Sequence, residues 1–263
     1  MTRSRGRLLG LIWPPLVFGV AFLAIWETAV NVFDFQPYFL PAPSAILDAF
    51  RSNTELVLEA TKVSGLNALI GLVLGTAIGV GMAFLLARFR LADDLMSPLA
   101  VALNAVPIFV LVAVFNNMYP VTSEVPRRLM ATLVVYFIVL INVARGLREV
   151  GSVYLDLMRS YAASDVTVLR KVRVPHAVPY LFTALKIAAP ASVITAFVSE
   201  YFGGLQNGLG SRIVSNIALS NNAEAWAYVL GACLLGLAFF LTAAALERVA
   251  TPGGVGARER DRA

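Results

Sequence analysis

The chain has 263 residues, 59% of them hydrophobic and only 14% charged, with 21 basic residues against 16 acidic ones. A soluble domain carries about 45–50% apolar and about 25% charged residues, so this composition excludes an ordinary soluble fold. The net charge of +5 is not gathered into a compact basic domain, which speaks against nucleic-acid binding.

The apolar residues form long blocks, and the short segments between them hold nearly all the charge. Six blocks approach the roughly 17–25 residues that a helix needs to cross the hydrocarbon core. They lie near 10–30, 63–87, 97–115, 129–144, 178–200 and 225–246. The expected fold is all-α, a polytopic membrane bundle of about six transmembrane helices over 10–246. It is flanked by a short segment 1–9 and a disordered tail 247–263 that holds Pro252, Gly253, Gly254 and Gly256.

The first block follows Arg3, Arg5 and Arg7, as the core of a secretory signal would. It runs on from Leu8 to about Val30 through Pro14 and Pro15, without an A-x-A-like site, and is read as an uncleaved helix with Glu27 near its far end. The segment from Asn31 to Lys62 contains Phe39-Leu40-Pro41-Ala42-Pro43-Ser44 and an amphipathic stretch Ala45–Phe50. Pro41 and Pro43 predict an extended approach, and Ser44 predicts the N-cap of a short surface helix. The second block places Gly71, Gly75 and Gly79 on one helical face, where missing side chains let a neighbouring helix approach closely. The longest inner loop runs from about Gly146 to Val178. Glu200 ends the fifth block directly before Tyr201-Phe202-Gly203-Gly204, as a carboxylate solvated at a helix end, paired within the bundle or touching a substrate. Glu200 and Tyr201 are the residues expected at a translocation path or outer gate. Cys233, the single cysteine, lies inside the last block and reads as a packed small residue.

Lys and Arg accumulate on the cytoplasmic side of membrane proteins. With the N-terminus inside, only Arg51, Lys62, Arg127, Arg128 and Arg212 fall outside, 5 of the 21 basic residues. Both termini and the 146–178 loop are therefore expected in the cytoplasm, and the protein in the inner or plasma membrane as a multi-pass chain in contact with the lipid bilayer.

Chemistry of its own is sparse. His176 is the only histidine, has no Asp or Glu within four residues, and reads as interfacial or solvated; a lone histidine cannot supply a metal site. None of Lys62, Lys171 and Lys186 ends a G-x-x-x-x-G-K-[ST] loop. No catalytic, metal-binding or cofactor-binding residue is expected. The blocks hold no charged pair at midplane depth, so energy for any transport is expected to enter from outside the chain.

Within the inner loop, Val153, Leu157 and Tyr161 recur at helical spacing, widened by Leu155 and Met158. Ser164 or Asp165 predicts the cap of a second helix that Pro175 ends near Val174. An exposed amphipathic pair of this kind needs a partner surface, most simply a soluble subunit.

This loop resembles that of the permease subunits of binding-protein-dependent ABC importers, whose motif runs E-A-A, three residues, G, then later a hydrophobic residue and Pro. Aligned on Pro175, the family's Glu falls on Asp156, its alanines on Leu157 and Met158, and its Gly on Ala162; Arg159, Ala163, Ser164, Arg170, Lys171 and Pro179 also match common positions. The Leu40–Ser44 run, Glu200–Gly204 and Asn207-Gly208-Leu209-Gly210 resemble segments of the nitrate, sulfonate, taurine and pyrimidine type. The similarity covers roughly Pro41 to Glu247. Asp for Glu, Leu-Met for Ala-Ala and Ala for Gly depart from the motif and bear on how the loop docks.

The resemblance implies a type I importer permease that passes a small organic or anionic nutrient, with a thiamine-precursor pyrimidine or riboflavin favoured. It implies a second permease, another copy of this chain in a homodimer or a close relative, and an extracytoplasmic substrate-binding protein. Two cytoplasmic ATPase subunits, carrying ATP and Mg, would grip Asp156, Leu157, Met158, Arg159, Ala162, Ala163, Ser164 and Pro175. The alternatives, a secondary transporter or a membrane enzyme, do not require such a helix pair.

Overall fold

A computed structural model describes residues 2–88 and 107–251, and every regular element among them is helical. In chain order these are α1 (Thr2–Val32), α2 (Pro43–Ser52), α3 (Thr54–Arg88), α4 (Ile108–Met118), α5 (Val125–Arg148), α6 (Ser152–Ser160), α7 (Asp165–Val168), a π-helical turn (Leu169–Arg173), α8 (Val174–Tyr201), α9 (Leu209–Ala218) and α10 (Asn222–Ala250). Five stretches, in α1, α3, α5, α7–α8 and α10, are long and apolar enough to cross a membrane. The block expected near 97–115 falls largely outside the described residues, and α4 is its described end. The tail beyond Thr251 also lies outside them.

The helix α5 is the centre. Half of its membrane-length window is buried, and it packs against α3 on one side and α8 on the other. Val135, Val139, Leu140, Val143 and Leu147 of α5 meet Ala83 and Leu86 of α3 and Ala177, Ala184 and Ala188 of α8 in one core. Small residues set the spacing. A Cβ built on Gly71 would lie 2.3 Å from Ala131 Cβ, one on Gly75 2.6 Å from the Thr132 carbonyl oxygen, and one on Gly79 2.9 Å from that of Tyr136. All three glycines therefore face α5, and its backbone sits where side chains would otherwise stand. The peripheral α1 leaves Trp13, Phe18 and Ile25 open and touches α10 through an edge-to-face contact of Trp26 with Trp226 at 5.4 Å.

Several local expectations are corrected. The helix α3 starts at Thr54, well before the apolar block, because polar residues such as Glu55 and Lys62 continue the helix beyond its hydrocarbon stretch. Ser44 is not an N-cap. Ala42 holds that position with Pro43 in the first turn, and the Ser44 hydroxyl and N–H instead donate to the Glu27 carboxylate at 2.7 and 3.0 Å. Pro175 does not end a helix. The π-helical turn runs straight into α8, and Pro175 stands in the first turn of that helix, where the widened turn before it accommodates the ring and the missing N–H. Cys233 is exposed on α10 rather than packed.

Candidate functional site

The connection between α5 and α8 forms one end of the bundle. Neither α6 nor α7 has a buried residue, and Val153, Tyr154, Leu157, Tyr161 and Val166 are all more than half exposed. Asp156 and Arg159 form an exposed pair at 3.0 Å on α6. The chain leaves α6 through a Schellman turn, in which the Ala162 N–H donates to the Arg159 carbonyl at 2.9 Å and the Ala163 N–H to that of Met158 at 3.0 Å. Ala162 pays for this turn with φ +47°, a left-handed conformation that glycine adopts without strain. Ser164 then caps α7, its Oγ accepting from the Thr167 N–H at 3.4 Å. Asp156 to Ser164 thus form one continuous surface, and Pro175 stands apart from it at the root of α8.

The opposite end carries a cluster that sequence reasoning missed. Arg127 and Arg128 count in the sequence only as basic residues of an outer segment, but Arg127 stands in the first turn of α5 and is 1% exposed. Its Nη1 donates to Glu124 Oε2 and Asn207 Oδ1, each at 2.8 Å, and its Nη2 donates to the Leu205 carbonyl. Asn207 Nδ2 returns a bond to Glu124 Oε1 at 2.9 Å, and Asn67 Nδ2 donates to Glu124 Oε2 at 2.7 Å. Arg128 Nε completes this side on Asn67 Oδ1 at 2.9 Å. Glu200, also 1% exposed, lies 3.9 Å from Arg127 Nη1. It is therefore not solvated at a helix end.

The carboxylate of Glu200 caps another helix. It accepts the Gly210 N–H at 3.0 Å, and the Ser64 hydroxyl stands 2.7 and 2.9 Å from its two oxygens. Ser64 Oγ in turn accepts the Leu209 N–H at 2.9 Å. Leu209 and Gly210 open α9, so a serine and a carboxylate satisfy N–H groups that a helix start leaves without partners. No side chain fits between: a Cβ on Gly208 would lie 2.2 Å from Glu200 Cδ, and one on Gly210 2.3 Å from the Phe197 carbonyl oxygen. Tyr201, next in the chain, points away, 42% exposed and edge-to-face with Phe202. The signal available in the sequence was the pairing of Glu200 with the Gly-Leu-Gly run. Nothing in it singles out Arg127. Among the described residues, no three His, Cys, Asp or Glu side chains converge on a point.

Residues 75–253 match the model of a family described as binding-protein-dependent transport system inner membrane component. A probable ABC transporter permease protein of Haemophilus influenzae is 33% identical over 208 residues, which are 78% of this chain and 82% of that protein. The formylaminopyrimidine transport permease protein ThiX of Halalkalibacterium halodurans is 26% identical over 241 residues, 90% of this chain and 94% of that one. In fold, the chain is similar to a chain of the MetNI methionine ABC transporter in an inward-facing conformation, with a TM-score of 0.61 at 17% identity over 75% of this chain and 97% of that chain. The architecture is thus that of a type I ABC importer permease. The chain belongs to the family of inner-membrane components of binding-protein-dependent transport systems.

Proposed function

We propose that two copies of this permease form the translocation path of an ATP-driven importer for a small heteroaromatic nutrient of the formylaminopyrimidine class. The observation that carries the coupling is the α6–α7 pair, which has no fully buried residue within the chain. Two cytoplasmic ATPase subunits, with ATP and Mg, cover its open aliphatic and aromatic side chains. Asp156 and Arg159 orient the pair, and the left-handed turn at Ala162 lets the loop enter a groove. Their closure drives the two loops together and moves the bundle between two global states. An extracytoplasmic binding protein delivers substrate at the other end, near Tyr201. Support for the substrate class is the similarity to ThiX over nearly the whole chain.

The test is a complex of permease, ATPase and binding protein reconstituted in vesicles, with formylaminopyrimidine and riboflavin offered separately. Formylaminopyrimidine is expected to stimulate ATP hydrolysis and enter; stimulation by riboflavin alone would refute the substrate class. Ala162→Trp is expected to leave an inserted permease that loses its ATPase subunits during purification. A normal ATPase-to-permease ratio would show that this loop is not the coupling surface. In a Cys233→Ser background, a cysteine at Asn221 should label from outside intact cells and one at Ser164 only after permeabilisation.

A further inference from the structure

Because α6 and α7 are not packed into the bundle, their movement reaches it only where the chain returns to it. One such root is the last turn of α5. The other is the π-helical turn with the first turn of α8, where Leu169 and Val174 pack on the same core as the buried Leu147 and Ala177. The two roots are joined by a specific set of contacts. Gly146 leaves room for α8 to come close: a Cβ there would lie 2.8 Å from Tyr180 Cγ and 2.9 Å from Ala177 Cα. His176 Nδ1 lies 2.8 Å from the Gly146 carbonyl oxygen, and its ring sits 5.6 Å from that of Tyr180. The Gly146 carbonyl is among the last four of α5, which have no partner within a helix, so His176 donates to α5 across the mouth of the loop. The Tyr180 hydroxyl donates to Glu149 Oε2 at 3.2 Å, and Glu149 Oε1 accepts from Arg145 Nε at 2.7 Å.

We infer that His176 is a positioning residue for transport. With Gly146 and Tyr180 it clasps the two roots of the coupling loop into one rigid piece, so that displacement of α6–α7 reaches α5 and α8 together. This inference rests on the importer reading above. A lever that hinges at its root loses its stroke. The pairs on either side cannot substitute, since Arg145 and Glu149 are both exposed and an exposed ion pair is weak.

The experiment measures ATP hydrolysed per formylaminopyrimidine molecule taken up by the reconstituted wild-type complex and by His176→Leu, His176→Asn and Tyr180→Phe. Leucine removes the donor, whereas the Asn amide places an N–H close to the position of Nδ1. His176→Leu is expected to raise ATP per substrate by roughly threefold to tenfold, the scale of one lost hydrogen bond. His176→Asn should return most of that loss, and Tyr180→Phe should show a smaller rise, with the ATPase-to-permease ratio unchanged throughout. A wild-type ratio in His176→Leu, or an Asn variant no better than Leu, would overturn the inference. If His176→Leu does not insert, Tyr180→Phe decides, and an unchanged ratio there overturns it. A wild-type complex without substrate-stimulated hydrolysis overturns the importer reading and the clasp with it; a coupled wild type beside an unaffected His176→Leu overturns the clasp alone.

Discussion

The two ends of this bundle solve opposite problems. At the α9 end, Arg127, Glu200, Ser64 and Asn67 are buried and bonded with the half-buried Glu124 and Asn207, in a network that ties α3, α5, α8 and the start of α9 together. At the other end, α6 and α7 have no fully buried residue, and Val153, Leu157 and Tyr161 stand open. Buried charge is tolerated where it is paired and hydrogen-bonded, and the Arg127 guanidinium finds its carboxylate and amide partners inside the chain through Nη1 and Nη2, although its Nε makes no hydrogen bond. An open amphipathic helix is stabilised by a surface that covers it, which the ATPase subunits proposed above would supply at the second end. Mutations at the first end should therefore act on folding, and mutations at the second on assembly and transport.

The sharpest test of this contrast is Arg127→Met. It leaves Glu124 and Glu200 facing each other without a cation, and breaking a buried pair from one side costs about 3–5 kcal/mol. Little folded protein is expected in detergent, whereas Leu157→Ala on α6 should melt like the wild type. Equal thermal unfolding curves for the two variants would dissolve the distinction between the ends.

Between the two ends lies the glycine face of α3. Gly75→Leu must displace Val135 and the Thr132 backbone, since even a Cβ would come within 2.7 Å of Val135. Overpacking of this kind costs about 1–3 kcal/mol, and the yield of monodisperse protein should fall. An unchanged yield and melting temperature would mean that α3 and α5 separate at little cost.

What could be read from the sequence follows the same divide. The membrane helices were legible because the bilayer demands an uninterrupted apolar run, and α6 because its apolar residues repeat at helical spacing. Arg127 was not legible, because a charge beside a proline at the edge of an apolar block reads as exposed until its partners are known. Those partners come from segments far apart: Asn207 and Leu205 lie some 80 residues away. Pro175 misled for a related reason. A proline stops a helix by rule, but a widened turn before it lets the helix continue. Cys233 was read as packed because apolar blocks suggest burial, although a membrane helix can turn the same residue outward.

Ala162 offers a milder probe of the open end. Its φ of +47° is costly for a residue with a Cβ, and glycine removes that strain, so Ala162→Gly should stabilise the α6–α7 turn by about 1 kcal/mol. The expected readout is slower hydrogen exchange at the Ala162 and Ala163 amides, with no change in global melting. Faster exchange there would show that the turn owes its shape to contacts rather than to its backbone.

The smallest effect belongs to Glu149, at the root of the loop. Its carboxyl is held below the ordinary value of 4.5 chiefly by the hydrogen bond from Arg145, against the opposing effect of burial and with further help from the Tyr180 hydroxyl. A depressed pKa in the folded state means that the charged form is favoured by folding. That contribution is fully present above the unfolded-state value and is lost as pH falls through the lower folded-state value. Glu149→Gln should therefore melt slightly below the wild type near neutral pH, and the gap should close as the solution is acidified below 4.5. Because the pair is exposed, added salt should narrow the gap at neutral pH as well. A gap that persisted in acid would assign the loss to the Gln side chain rather than to the missing charge. The clasp at the loop root would then rest on the His176 bond to Gly146 and the close packing of Tyr180 alone.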